Sequence, residues 1–164
     1  MKLSEYMAAA AEVPATGEIV GRQMVLALDC SEDGTSEAGD YAVIANHVEN
    51  VGAALSGKTV DKEYIGEGAS TLKTSTQRTF SVTGQLLRGD TFHDFIGSHK
   101  IKYGVGSVVQ RKYVYFDAGT KKGESGTVTV IVNKDGAAAA GDLADIDVSL
   151  SVVGTPKEYA YSAV

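Results

Sequence analysis

Two segments of the chain alternate branched apolar side chains with small hydroxyl or acidic ones. From Thr79 to Leu86 the apolar series is Phe80, Val82 and Leu86, and the intervening series is Thr79, Ser81, Thr83 and Gln85. Ile146, Val148, Leu150 and Val152 alternate in the same way with Asp147, Ser149 and Ser151. Strand side chains point to opposite faces with period two, so each segment predicts a strand with one dry and one wet face. No lysine or arginine stands among these residues, which makes the wet faces smooth and nearly uncharged.

The remaining pattern supplies further elements. Ser4 can cap a short helix over Glu5 to Glu12, because its hydroxyl can accept from a free backbone N–H and alanine is the best helix former. Pro14 and Gly17 end it and leave Val13 to Gly21 as an arm. Gln23 to Leu28 reads as a strand with Met24, Leu26 and Leu28 on one face, followed by an acidic, Gly- and Ser-rich loop over 31–40. Tyr41 to Leu55 reads as a longer strand bent near Asn50 or Gly52, and Lys58 to Ile65 as another. Gly66 to Thr76 has no large apolar anchors and reads as a flexible polar connection. After strand Thr79 to Leu87, Asp90 caps a helix over Thr91 to Ser98, on which Phe92, Phe95 and Ile96 make one apolar stripe. Strands at Val105 to Asp117, Gly126 to Asn133 and Ala144 to Val153 follow, joined by Gly119 to Gly123 and by Asp135 to Gly141. There is no internal repeat.

Composition narrows the class. A length of 164 residues fits one domain with a real core. The balance of 15 basic against 21 acidic residues gives a net charge of −6, which argues against a protein that grips phosphates by counterion release. It is compatible with a surface past which DNA slides. The single cysteine, Cys30, excludes an intramolecular disulfide and any multi-cysteine metal site. No apolar run approaches the roughly 20 residues that span a bilayer, and the short apolar stretch Tyr6 to Ala11 is bracketed by Glu5 and Glu12, unlike a secretory signal.

Candidate chemistry is sparse. Asp29, Ser31, Asp33, Gly34 and Asp40 stand at the spacing of a calcium loop, with oxygen ligands at positions 1, 3 and 5, glycine at 6 and a carboxylate at 12. A strand rather than a helix enters the loop, Ser36 replaces the apolar residue at position 8, and position 12 is the short aspartate, so a solvated acidic turn is the better expectation. Gly104 and Gly106 lack a third glycine at Val109, against a dinucleotide site. His93 and His99 fall on different helix faces and His47 is remote, which leaves no metal site or histidine base. Asp90 and Asp94 read as cap and solvated acid, Asp145 and Asp147 continue the wet series, and Cys30 has no neighbouring histidine to activate it. Tyrosine supplies 8 of the 12 aromatic residues, suited equally to half-buried sheet positions and to subunit contacts. No catalytic constellation and no cofactor are expected.

The order of elements resembles a phage major tail tube protein. The resemblance rests on the arm, the strand and long loop, the helix opened by Leu87, Arg88, Gly89 and Asp90 and continued by Asp94, Phe95 and Ile96, the long hairpin, and the closing strand from Asp145 to Pro156. It runs from about Met24 to Pro156. It implies a mainly β fold, a β-sandwich of antiparallel sheets with one flanking α-helix, whose sheets join between subunits into a closed β-barrel tube of stacked hexameric rings. An arm over 1–22, a sandwich domain over 23–156 and a C-terminal tail over 157–164 would follow. Related tubes occur in phage-derived bacteriocins and contractile injection systems. The partners implied are further copies of the chain, a tail terminator, a tail tip or baseplate, a tape measure protein and a sheath. DNA would pass through without specific binding, no membrane would be engaged, and the setting would be a virion tail assembled in the host cytoplasm. The lumen-facing candidates are Ser81, Thr83, Gln85, Asp147, Ser149 and Ser151, a surface that would hold phosphates weakly. Edge-to-edge joining would also remove the exposed strand edges that promote aggregation. The alternative is a β-sandwich adhesion or accessory domain of a virion or bacterial surface.

Overall fold

The computed structural model describes residues 1–10 and 12–162. Seven strands form one antiparallel sheet: β1 (Met24–Leu28), β2 (Ala42–Val43), β3 (Val48–Tyr64), β4 (Gly68–Gln85), β5 (Gln110–Asp117), β6 (Lys122–Ala137) and β7 (Asp145–Ala160). Their order across the sheet is β2-β1-β5-β6-β7-β4-β3. Among the described residues three short α-helices accompany it, α1 (Leu3–Ala9), α2 (Thr91–Gly97) and α3 (His99–Tyr103).

The mainly β, antiparallel class is as expected, but the two-sheet sandwich is corrected to a single sheet that remains open at β2 and β3. Curling lets one sheet enclose a core. With β6 and β7 between them, β4 and β5 would stand about 14 Å apart in a flat sheet. Yet the rings of Phe80 on β4 and Tyr113 on β5 lie 5.3 Å apart, and those of Phe80 and Tyr115 lie 5.0 Å apart. The dry residues of the alternating strands fill this concavity: Phe80, Val82, Ile146, Val148 and Leu150 are all buried, with Phe92, Phe95 and Ile96 of α2 packed among them. A second core lies on the opposite face of β1 and β5, where Val25, Ala27, Val114 and Phe116 meet Leu3 of α1. β1 is therefore buried on both faces, which is why its sequence is continuously apolar.

Several boundaries differ from expectation. The strand expected over Tyr41 to Leu55 breaks at His47, whose φ of 54° turns the chain between β2 and β3. β3 then continues through Lys58 to Tyr64, and the connection expected over Gly66 to Thr76 is instead the first half of β4, apart from a tight turn near Ile65 to Glu67. Threonine-rich segments suit a strand, and a solvent-exposed hairpin imposes no apolar alternation for a periodicity reading to detect. Residues 106–109 form a 3-10 turn, so β5 begins only at Gln110. β6 begins at Lys122 and runs to Ala137, and β7 continues past Val153 to Ala160. Pro156 is accommodated because the β6–β7 register shifts between Ser125 and Thr127. α1 starts before Ser4, and it is the carboxylate of Glu5 that accepts the Lys2 N–H, at 3.2 Å.

Candidate functional site

The sequence-predicted wet residues come together on one surface. Across β4 and β7, Thr79 pairs with Ser151, Ser81 with Ser149 and Thr83 with Asp147. β6 adds Thr129 opposite Ser151 and Ile131 opposite Ser149, and β3 adds Asn50 opposite Thr83 and Gly52 opposite Ser81. Burial follows the alternation: Ser81 is exposed and Thr83, Gln85, Asp147, Ser149 and Ser151 are half-buried, whereas their strand neighbours Phe80, Val82, Ile146, Val148 and Leu150 are buried. Asn133 Nδ2 donates to Ser149 Oγ at 2.8 Å and to Asp147 Oδ1 at 3.4 Å, and Gln85 Nε2 donates to Glu49 Oε1 at 2.6 Å. Short polar side chains thus bond laterally across the strands. Ile131, exposed in the midst of this surface, is the residue that a polar-face reading does not anticipate.

The surface has free edges on both sides. β3 ends the sheet and, among the described residues, has no strand on its outer side. β6 pairs with β5 only as far as Thr129, so its residues 130–137 lack a strand partner on the side away from β7. Beyond the Thr79–Ser151 pair, β3 and β4 pair only with each other and form a projecting hairpin. The 12 residues from Ala54 to Ile65, at about 3.3 Å per step, carry it about 36 Å outward. It exposes Leu55, Tyr64, Leu72 and, at its tip, a fully uncovered Ile65.

The other candidates are dispersed. Asp29 is wholly buried and accepts from Ser31 N–H at 3.0 Å, Ser31 Oγ at 2.6 Å and Ser36 N–H at 3.2 Å. Asp33 accepts from Thr35 N–H at 3.4 Å, and Asp40 is held by Lys2 Nζ at 2.7 Å. The carboxylates of the calcium-like loop therefore do separate structural work, and among the described residues no group of three or more His, Cys, Asp or Glu gathers to hold a metal ion. Asp90 caps α2 as expected, its Oδ2 accepting the Phe92 N–H at 3.2 Å. His93 is buried, with Nε2 2.8 Å from the Asn46 carbonyl, whereas His99 lies against Tyr103. Cys30 packs half-buried against the first core, and burial, then the nearby Asp29 and Asp90, pushes its thiol well above the ordinary range. That disfavours the nucleophilic thiolate. A cleft of about 590 Å³ beside the hairpin root is lined by Leu55, Arg78, Tyr115, Glu124, Pro156, Lys157 and Glu158, and two of its charged residues pair with each other. Arg78 Nε meets Glu124 Oε1 at 2.9 Å, Tyr113 donates to the same oxygen at 3.2 Å, and the guanidinium stacks over Phe80 and Tyr115.

Neither a family model nor a curated relative matches the sequence. Solved structures do match. A chain from the tail of an empty gene transfer agent (GTA) particle, solved with C6 symmetry, superposes with a TM-score of 0.64 at 15% identity, covering 87% of this chain and 100% of that one. The chain has the fold of a tail component. A chain from the PVC sheath/tube terminator of an extracellular contractile injection system superposes with a TM-score of 0.53 at 15% identity, covering 92% and 100%. One from the tube-terminating cap of the anti-feeding prophage gives 0.52 at 10% identity, covering 93% and 98%.

Proposed function

We propose that this chain is the repeating structural subunit of a phage-type tail tube. The observation that carries the reading is the β3-β4-β7-β6 surface, polar on one face and open at both edges. A sheet with unpaired N–H and C=O groups along two opposite edges is completed by pairing β3 of one copy with β6 of the next. Repetition around a ring closes a barrel without leaving an edge. The concave core and α2 then lie on the far side of the sheet from the lumen, and Ser81, Thr83, Gln85, Asp147, Ser149 and Ser151 line the channel. Such a wall offers few cations to phosphates, so DNA moves through rather than adheres. Six copies per ring follow the C6 symmetry of the GTA tail, and a particle tail is the setting.

The terminator and cap among the matching structures favour a second reading, in which the chain ends a tube. Electron microscopy of the purified chain across a concentration series separates the two. Stacked rings of indefinite length with a stain-filled channel are expected for the repeating subunit. Single rings that halt the growth of pre-formed tubes would favour the terminator. A chain that stays monomeric at high concentration, even with a tail-tip initiator present, would remove both and favour the adhesion-domain alternative.

A further inference from the structure

One cross-strand row of the wet surface is mismatched in size at its two ends. Gly52 of β3 stands opposite Ser81 of β4, Ser81 opposite Ser149 of β7, and Ser149 opposite Ile131 of β6. The row therefore begins at one free edge on a glycine and ends at the other on a branched apolar side chain. Ile131 is 47% exposed, because β5 stops pairing with β6 at Thr129 and, among the described residues, no strand covers the flank that faces away from Ser149. It belongs to neither core of the subunit.

Nothing inside the subunit requires Gly52 to be a glycine. Its backbone is not left-handed, and a Cβ there would meet Ser81 Cβ at 3.7 Å, an ordinary contact. Glycine weakens a strand interior, and where neither a bulge nor a bend calls for it, close approach by another chain is the remaining reason. Ala54, the next residue on the same face, is also small and lies exposed. One edge of the wet surface thus presents a notch and the opposite edge a knob.

We infer that Ile131 packs on β3 of a second copy of this chain, over Gly52 or Ala54, and so sets the register in which β6 joins β3. The inference rests on the tube reading and deepens it. Strand directions allow the junction: β6, β7, β4 and β3 alternate, so β6 of one copy runs antiparallel to β3 of a copy related by rotation about the tube axis. Wet face must continue into wet face, so the residue opposite Ile131 lies an even number of places from Gly52, the number being set by strand tilt. A shift to Asn50 would bring Ala54 against Thr127, where β5 already holds that edge of β6. A shift to Ser56 would need the part of the hairpin that has left the sheet beyond the Thr79–Ser151 pair. Gly52 and Ala54 remain, and both leave room for the isoleucine. With the knob on one edge and the notch on the other, the contact is head-to-tail and generates a ring when the rotation closes.

Paired cysteines in the full chain, in a Cys30→Ala background, test the contact: Ile131→Cys with Gly52→Cys, and Ile131→Cys with Ala54→Cys. Within one subunit β6 and β3 are three strand spacings apart, about 14 Å and beyond the reach of a disulfide, so any bond formed joins two copies. Mild oxidation of assembled protein is expected to give a ladder of covalent oligomers from at least one of these pairs. Ser149→Cys with Gly52→Cys, which places the first cysteine one strand inside the edge, is expected to give none. Ile131→Ser is expected to melt like the wild type and to raise the concentration needed for tube growth about tenfold. Tubes that give no ladder with either pair, or that Ile131→Ser grows at the wild-type concentration, would overturn the contact and leave the tube reading intact. A large fall in the Tm of Ile131→Ser would place the side chain in the subunit's own packing and overturn it as well. Wild-type protein that forms no rings or tubes would end both readings. Should the paired-cysteine chains fail to fold, Ile131→Ser carries the test, since the side chain it removes lies outside both cores.

Discussion

Asp29 shows how a metal-like motif is spent on folding. Its buried carboxylate absorbs three donors from the loop that follows β1, and without it the Ser31 and Ser36 amides lose their acceptor. Asp29→Ala is expected to destabilise the chain by about 2 to 4 kcal/mol in urea unfolding, through unsatisfied buried donors. Millimolar calcium should leave the wild-type Tm unchanged, because only a ligand that binds the native state raises stability and these oxygens already have partners. A stoichiometric calorimetric site lost in Asp29→Ala would contradict this. The alternating strands give a sharper test of side-chain direction. Phe80→Ala should cost about 3 to 5 kcal/mol through the cavity it leaves. Ser81→Ala, one residue along and exposed, should stay within about 0.5 kcal/mol. Similar losses in both would mean that the two faces of β4 are not distinct in the folded protein.

At the scale of elements, close approach and backbone conformation separate two kinds of glycine. A Cβ at Gly123 would stand 2.0 Å from the Tyr115 carbonyl oxygen and 2.5 Å from Phe116 Cα, where β5 and β6 join, whereas Gly66 in the hairpin turn has open space around it and a φ of 98°. Gly123→Ala is expected to cost about 2 to 3 kcal/mol by overpacking, and Gly66→Ala about 1 kcal/mol by backbone strain alone, as denaturant melts would measure. What the sequence revealed follows the same division between local and distant causes. α2 was legible because its cap and apolar stripe are local signals, and β4 and β7 because each has one buried and one wet face. The distal hairpin was not, since both its faces meet solvent and no alternation marks it. Nor was α3, only five residues long. A single curled sheet instead of two depends on contacts such as Phe80 with Tyr113, far apart in sequence and invisible to periodicity. The wet surface was readable residue by residue. Its free edges at β3 and β6, and the tie from Asn46 to α2, needed the fold.

For the molecule as a whole, burial of tyrosine sets an alkaline limit. Burial pushes the Tyr41 phenol up to about 12, and pushes Tyr113, Tyr115 and Tyr159 in the same direction. In the unfolded chain a tyrosine ionises near 10. Between those values the folded chain holds more protons than the unfolded one, so stability falls as pH rises from about 10 towards 12 and is unaffected by these groups below that window. The part of the phenolate absorbance that belongs to these four tyrosines should accordingly appear together with unfolding rather than ahead of it, and full ionisation of all eight tyrosines in a still-folded chain would refute the burial argument. Under the tube proposal, assembly would meet its limit elsewhere, at the uncovered apolar tip of the hairpin. Nothing in the subunit packs on Ile65, so Ile65→Asp should change monomer stability by less than about 0.5 kcal/mol. In a tube, the same carboxylate would be carried into a contact between copies and stripped of water without a partner, a cost of several kcal/mol that recurs at every subunit. The variant is therefore expected to melt like the wild type by circular dichroism and to remain unassembled by sedimentation at concentrations where the wild type forms tubes. Tubes of normal length from Ile65→Asp would place the tip in solvent in the assembly and leave joining to the β3 and β6 edges alone.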